Sequence, residues 1–220
     1  FAISTQRFSA ANGRSEGAAI NMITKGGTNQ YHGSFFAFFR DQALQQDQTL
    51  ADGSKSHPPY SRQQFGGSIG GAIKKDKVFT FFAYERQHEH QSISEDPNAF
   101  SELSLAQSIP YQGGAISAQP AAVIPTPFFE NRYSGRLDYK INDSNTIYGT
   151  YNFQANNSLN DQSDGTFDLQ AGNFTVNHMA LGNLTWNSVL SHTLVNQFTF
   201  GYQYWNNLIA SGIVVPDVTF

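Results

Sequence analysis

The chain has 220 residues, 39% hydrophobic and 14% aromatic, with 19 Phe and 10 Tyr, so its apolar character is concentrated in rings. Charged residues make up 14%, and 13 Lys and Arg against 17 Asp and Glu give a net charge of -4, which excludes the basic footprint of a nucleic-acid partner. Cysteine is absent, which excludes a disulfide framework, a thiolate metal site and a Cys nucleophile.

No run approaches the ~18 consecutive apolar residues of a membrane helix. Membrane strands remain open, because their alternate residues face a polar lumen and weaken the hydropathy signal. The chain starts at Phe1, and no charged, apolar and small-residue leader pattern follows, so it reads as an excised segment.

In chain order, the compact apolar stretch GAAINMITK, 17–25, runs through a Gly26-Gly27 turn into a Phe-rich segment. Residues 30–40 predict a strand with Tyr31, Phe35, Ala37 and Phe39 on one face and Phe36 and Phe38 on the other, so both faces are expected to be buried. After a long connection over 41–60, QFGGSIGGAI puts Phe65, Ile69 and Ile73 on one side and only small residues on the other, which suits close approach of another backbone. GGSIGG is no phosphate cradle, since neither Lys-Ser/Thr nor a helix pattern follows it.

Past the short turn KKD, residues 77–87 set Phe79 and Phe81 opposite Val78, Phe82 and Tyr84, again two apolar faces. His88-Glu89-His90 places two imidazoles at i and i+2, on one face if the strand extends that far. A surface metal site there lacks a third ligand, and a solvated loop entrance is the simpler reading. Within the longest connection, 88–130, NAFSELSLAQ predicts a short helix carrying Phe100, Leu103 and Leu105, capped by Asp96 or Asn98. The apolar, Pro-rich stretch 110–129 is expected to be a folded loop and not a linker.

Residues 132–141 form the clearest strand: Tyr133, Gly135, Leu137, Tyr139 and Ile141 on one face, Arg132, Ser134, Arg136, Asp138 and Lys140 on the other. NDSN reads as a hairpin turn, and 146–154 resumes the alternation. NDQSDG, 160–165, is rejected as a calcium loop because its twelfth position is Ala171 and not Glu. Strands follow at 174–186 and 194–204, separated by NSVLSH, with a further loop from about residue 207.

His32, His57, His178 and His192 are isolated in sequence and read as structural. No Ser, His and Asp arrangement can be argued from spacing. The reading therefore assigns no catalytic, cofactor-binding or metal residue and no cofactor, and it expects no enzyme.

Long and short connections alternate without exception. That asymmetry belongs to an antiparallel up-and-down transmembrane β-barrel, with short turns on one rim and long loops on the other. The fold class is all-β, with about seven strands each long enough to cross a bilayer obliquely.

The stretches GAAINMITKGGTNQYHGSFFAFFRD, PPYSRQQFGGSIGGAIKKDKVFTFFAYER and RYSGRLDYKIND, in that order and spacing, resemble TonB-dependent outer-membrane transporters of the Oar-like group. The resemblance covers most of residues 13–155. It implies that the Gly-x-x-Ile-Asn-x-x-Thr-Lys element, Gly17 to Lys25, closes a plug domain, and that the strand opening at His32 and Gly33 begins the barrel. Ala18 and Ala72 depart from the family pattern, standing where Gly and Pro are common.

The implied division is 1–29, the end of the plug, and 30–220, the first strands of a larger barrel of about 22. Arg136 and Asp138 then become lumen residues bonded to plug or water, and Leu137 meets lipid. Implied partners are outer-membrane lipid, the TonB energy-coupling complex through a region outside these residues, and an unidentified extracellular nutrient, bulky or scarce. Two alternatives stay open: a self-contained barrel of about eight strands with a structural or adhesion role, and a soluble β-sandwich module binding carbohydrate or another ligand.

Overall fold

The computed structural model describes residues 2–5, 18–21, 24–115, 117–162, 165, 168–169 and 172–211. Two short strands, β1 (Ala2–Thr5) and β2 (Ala18–Asn21), pair antiparallel with Ile3 opposite Ile20. Gly17, Met22 and Ile23 of the predicted plug-closing element lie outside the described residues.

The first long strand is β3 (His32–Asp41). The connection after it holds a 3-10 turn at Gln42–Leu44 and a small hairpin of β4 (Gln48–Thr49) and β5 (Lys55–Ser56). Next come β6 (Ser61–Lys74) and β7 (Val78–His90). The longest connection folds into β8 (Ser92–Ser94), helix α1 (Pro97–Ala106), a hairpin of β9 (Pro110–Tyr111) and β10 (Gly114–Ala115), and β11 (Val123–Pro125). Four more long strands complete the chain: β12 (Phe128–Asn142), β13 (Asn145–Leu159), β14 (Asn173–Ser191) and β15 (Leu194–Ser211).

Seven strands form one antiparallel sheet in the order β15-β14-β13-β12-β7-β6-β3, so every long strand pairs with its neighbour in sequence. All seven predicted strands are present. Such a meander puts the short turns on one rim and the long connections on the other, and adjacent turns touch: Lys140 N donates to Lys77 O at 2.7 Å, and Val189 N to Ser144 O at 2.8 Å. The sheet is open among the described residues, with β3 and β15 as its edges.

Three boundaries differ from expectation. NSVLSH is strand up to Ser191, with Asn187 opposite Gln197 and Ser188 opposite Asn196, and the turn is His192 and Thr193 alone. The loop expected from residue 207 is also strand, because Asn207 and Ile209 find backbone partners at Asn177 and Thr175. His88 and His90 lie within β7, so the strand does extend through them. In each case pairing satisfies backbone groups regardless of the polarity of the side chains.

The two faces of the sheet differ sharply. Phe35, Phe39, Ile69, Leu137, Leu184, Phe198 and Phe200 crowd one face and remain exposed, Leu137 by 50%. Among the described residues the buried apolar side chains are only Leu50, Ala72, Ala118, Ile124 and Ala180. A soluble sandwich would bury such a face against a second sheet; here a single large sheet leaves it bare, as a bilayer requires. Phe35 and Phe39 of β3 lie on this apolar face and Phe38 on the opposite one, exposed by 77%, 73% and 61%, so other parts of the described chain bury neither face of 30–40, contrary to expectation.

The Gly-rich strand β6 makes room for rings more than for backbone. A Cβ at Gly66 would sit 2.7 Å from the Phe36 ring and 2.5 Å from Tyr84 O, one at Gly70 would sit 2.8 Å from the Phe81 ring, and Tyr31 lies over Gly71. Tyr31 is held there by its hydroxyl, which donates to Ala72 O at 2.9 Å.

The long connections pack on one another. Helix α1 starts at Asp96, not Asn98: the Asp96 carboxylate accepts from Asn98 N at 2.8 Å and Ala99 N at 3.3 Å, with Pro97 in the first turn, as helix starts favour. β8 pairs with β11 around the fully buried Ile124. The 160–172 connection joins this cap through Asp96 N to Gly165 O at 2.7 Å and Asn160 Nδ2 to Pro125 O at 2.9 Å.

Candidate functional site

On the polar face, residues two apart along each strand project to the same side, so charged and amide groups at alternating positions line up across the sheet. Arg62 donates to Gln64 Oε1 at 2.7 Å and Gln87 Oε1 at 3.2 Å, and its Nε pairs with Glu89 at 3.1 Å. Gln64 donates to Glu85 at 2.6 Å, and Gln87 to Glu89 at 2.9 Å. Arg132 pairs with Glu130 at 2.6 Å, and Gln154 donates to the other Glu130 oxygen. The ladder crosses β6, β7, β12 and β13, and Glu89 and Glu130 are buried within it. Each carboxylate is thereby met by a donor, the condition for burying it at tolerable cost.

Nearer the short-turn rim, the chain preceding the sheet lies against this same face. The Arg136 guanidinium grips Asp138 through Nε, at 3.0 and 2.9 Å, and Nη2, at 2.7 Å. Its Nη1 donates to Thr24 Oγ1 at 2.9 Å and Thr24 O at 3.2 Å, and the group stacks 4.5 Å over the Tyr148 ring. The following glycines pass flat on the wall: a Cβ at Gly26 would meet Asp138 Oδ2 at 3.3 Å, and one at Gly27 would sit 2.5 Å from Thr80 O and 2.6 Å from Gly71 O. Only glycine permits that approach. Asn29 then exchanges two bonds with Asp76, at 2.6 and 2.9 Å, whose left-handed backbone, φ 61°, forms the first short turn.

Of the residues singled out from sequence, Arg136 and Asp138 are brought together and onto Thr24. His88 and His90 face each other at 4.3 Å, and His88 stacks on Phe129 at 4.2 Å. No group of three or more His, Asp or Glu able to hold a metal occurs among the described residues. His57 is not isolated: its Nδ1 lies 2.9 Å from Asp47. His178 stacks beside Phe153, and His192 sits in the last short turn. In place of a calcium loop, Asp161 is held by the chain itself, accepting from Asn173, Thr175 and Ser158 at 2.6, 2.8 and 2.9 Å.

The sequence reading missed the ladder. Its signal was present in the i, i+2 repeats of charged and amide residues at 62 and 64, at 85, 87 and 89, and at 130 and 132. Nothing in the arrangement pairs a nucleophile with a base; what it offers chemically is a polar, water-compatible wall on which a second segment can be held by hydrogen bonds.

An alignment 152 positions long, which covers 61% of this chain and 14% of the other protein's length, is 26% identical to the TonB-dependent transporter Oar of Myxococcus xanthus. No solved structure matches the chain. The family model of the outer membrane beta barrel domain matches residues 23–107 and 96–214. With one face of its meander apolar and bare and the other polar and ladder-bonded, the chain belongs to the outer-membrane β-barrel domain family and resides in the outer membrane.

Proposed function

We propose that residues 1–29 end a lumenal plug and that residues 30–220 begin the barrel wall of a TonB-dependent transporter, which admits a bulky or scarce nutrient without catalysis. The observation that carries this reading is the seating of Thr24, Gly26 and Gly27 on the polar face, fixed by Arg136. A segment bound to the inner wall by few, exchangeable hydrogen bonds can be released when pulled, which gated passage needs. The similarity to the Myxococcus xanthus transporter supports the same reading. Partners are then outer-membrane lipid on the apolar face, the TonB complex, and the nutrient on the long-loop side.

The test uses the full-length protein in outer membranes. Cells carrying it are expected to accumulate its nutrient only while the inner-membrane proton gradient and TonB are intact. Accumulation unchanged by removing TonB would overturn energised transport. Arg136→Ala, which frees Thr24, is expected to raise sensitivity to a large antibiotic such as vancomycin by loosening the plug; unchanged sensitivity, with Thr24 equally protected from modification, would overturn the plug assignment.

A further inference from the structure

Where the wall meets the loop cap, an open cleft of about 390 Å³ lies between the β8 and β11 pair and the long-loop end of the sheet. Gln91, Ile93 and Thr126 line it from the cap, and Thr126 N donates to Gln91 O at 2.7 Å to hold the two arms together. Phe128, Asn156 and Asn177 line it from the wall. The register puts those three on the polar face, since Asn156 pairs with Glu130 on one side and Asn177 on the other. Its volume falls in the range of small-ligand sites.

Two of the four buried side-chain atoms that lack a partner among the described residues meet at this cleft. Thr126 Oγ1 and Asn177 Oδ1 are both buried with no hydrogen-bond partner, and Thr126 is only 7% exposed. Elsewhere on the polar face the buried Glu89 and Glu130 carboxylates are met by donors. Buried polar groups are ordinarily satisfied, and two orphans at one cleft mark a place for a further donor and acceptor. The Asn177 amide donates to Asn156 Oδ1 at 3.0 Å, which fixes its own oxygen as the free acceptor.

Charge narrows the ligand. Among the described residues no Lys or Arg lines the cleft, so none of them draws an anion there. The one carboxylate among its described lining residues, Asp161, is occupied by three donors from the chain. What remains is amides, hydroxyls and the face of Phe128, a set that recognises groups able to donate and accept at once beside an apolar ring edge.

We propose that this cleft binds a neutral saccharide, whose hydroxyls donate to Asn177 Oδ1 and accept from the Thr126 hydroxyl while its ring lies against Phe128. The inference rests on the transporter reading only for its biological purpose, because binding by itself needs no TonB.

The test is retention of glycans by the full-length protein in detergent, using an array with neutral and uronic-acid glycans, followed by calorimetry with maltotriose, xylotriose, cellotriose and trigalacturonate. Neutral glycans are expected to be retained and trigalacturonate not. Asn177→Ala and Thr126→Val should each weaken the neutral glycan by roughly tenfold, the worth of one hydrogen bond. Thr126→Val should at the same time leave the melting temperature unchanged or raised, since it removes an unpartnered buried hydroxyl; a merely structural role would lower it.

Retention of no neutral glycan, preference for the uronate, or affinity unmoved by both substitutions would each overturn the proposal, and would mean the cleft holds ordered water alone. Loss of glycan retention with TonB-dependent uptake intact defeats the cleft and leaves the transporter; retention without any TonB dependence does the reverse.

Discussion

At the scale of the residue, neighbours on one strand have opposite solvents. Leu137 is half exposed on the apolar face, whereas Arg136 is tied to Asp138, Thr24 and Tyr148 on the polar one. Leu137→Arg in the full-length protein is expected to cost about 2–4 kcal/mol of folding stability near the midplane, because the guanidinium leaves water without gaining a partner. Arg136→Gln should cost less, since Asp138 keeps access to lumen water, while Thr24 becomes more reactive when replaced by Cys and probed with a thiol reagent. Urea titrations of both variants in lipid vesicles decide it: a larger loss for Arg136→Gln would invert the two faces.

Outside the membrane, Glu95 is 2% exposed in the loop cap, with one oxygen accepting from Ala121 N at 3.0 Å and the other unpartnered. Burial pushes its carboxyl above the usual carboxylate range; the Ala121 bond opposes this, and the Asp168 and Asp96 carboxylates reinforce it. A raised folded-state pKa means that the folded cap binds the proton more tightly than the open one. Its contribution is therefore full below the ordinary carboxylate range and is lost as pH rises through the raised value. Protease resistance of the 91–127 loop should fall across that window, and Glu95→Gln should flatten the profile; a profile identical in both proteins would show that Glu95 is not the titrating group.

At the scale of the element, β6 depends on its glycines unequally with the strands around it. Gly66→Ala would put a Cβ 2.5 Å from the Tyr84 carbonyl, which cannot yield as a side chain can, and is expected to destabilise by about 1–3 kcal/mol. Gly135→Ala meets nothing nearer than Tyr151 O at 3.9 Å and should be tolerated. Thermal unfolding of the two variants in one detergent tests the contrast, and equal melting temperatures would contradict the packing of Phe36 into β6. Alternation of side chains revealed these strands, and Asn142, Asp143 and Asn145 revealed the β12–β13 hairpin, whereas the β14–β15 turn is His192 and Thr193 and carries no such signal. The ring packing over glycine was not legible, because it depends on which residue of the next strand lies directly opposite, as Phe36 does to Gly66 and Phe81 to Gly70, and register is a property of two segments.

At the scale of the whole molecule, two edges and a bare apolar face make the seven strands unsuited to water. Residues 1–220 alone are expected to aggregate without detergent, since β3 and β15 expose unpaired backbone and more than one large ring. A monomeric, cooperatively melting preparation in plain buffer would contradict this and favour a soluble fold. Orientation gives a second check: an epitope inserted in the 91–127 loop of the full-length protein should bind antibody on intact cells, and one in the Asp143-Ser144 turn should not. The reverse labelling would mean the barrel sits the other way up.

The amino-acid sequence by itself determined the number of long strands, their antiparallel order, which connections are long and, for the strands from residue 132 on, which face is apolar, because a period of two and the placement of turn residues are local properties of the chain. It also separated Leu137 from Arg136, since adjacent residues of a strand must face opposite ways. Only the tertiary structure decided that Arg136 reaches back 112 residues to Thr24, that three carboxylates share one ladder with two arginines, and that Thr126 and Asn177 converge on one cleft. Those meetings depend on strand register and on the fold of the long loop: the i, i+2 repeats place charged groups on one face, and only the register says which strands bring them together.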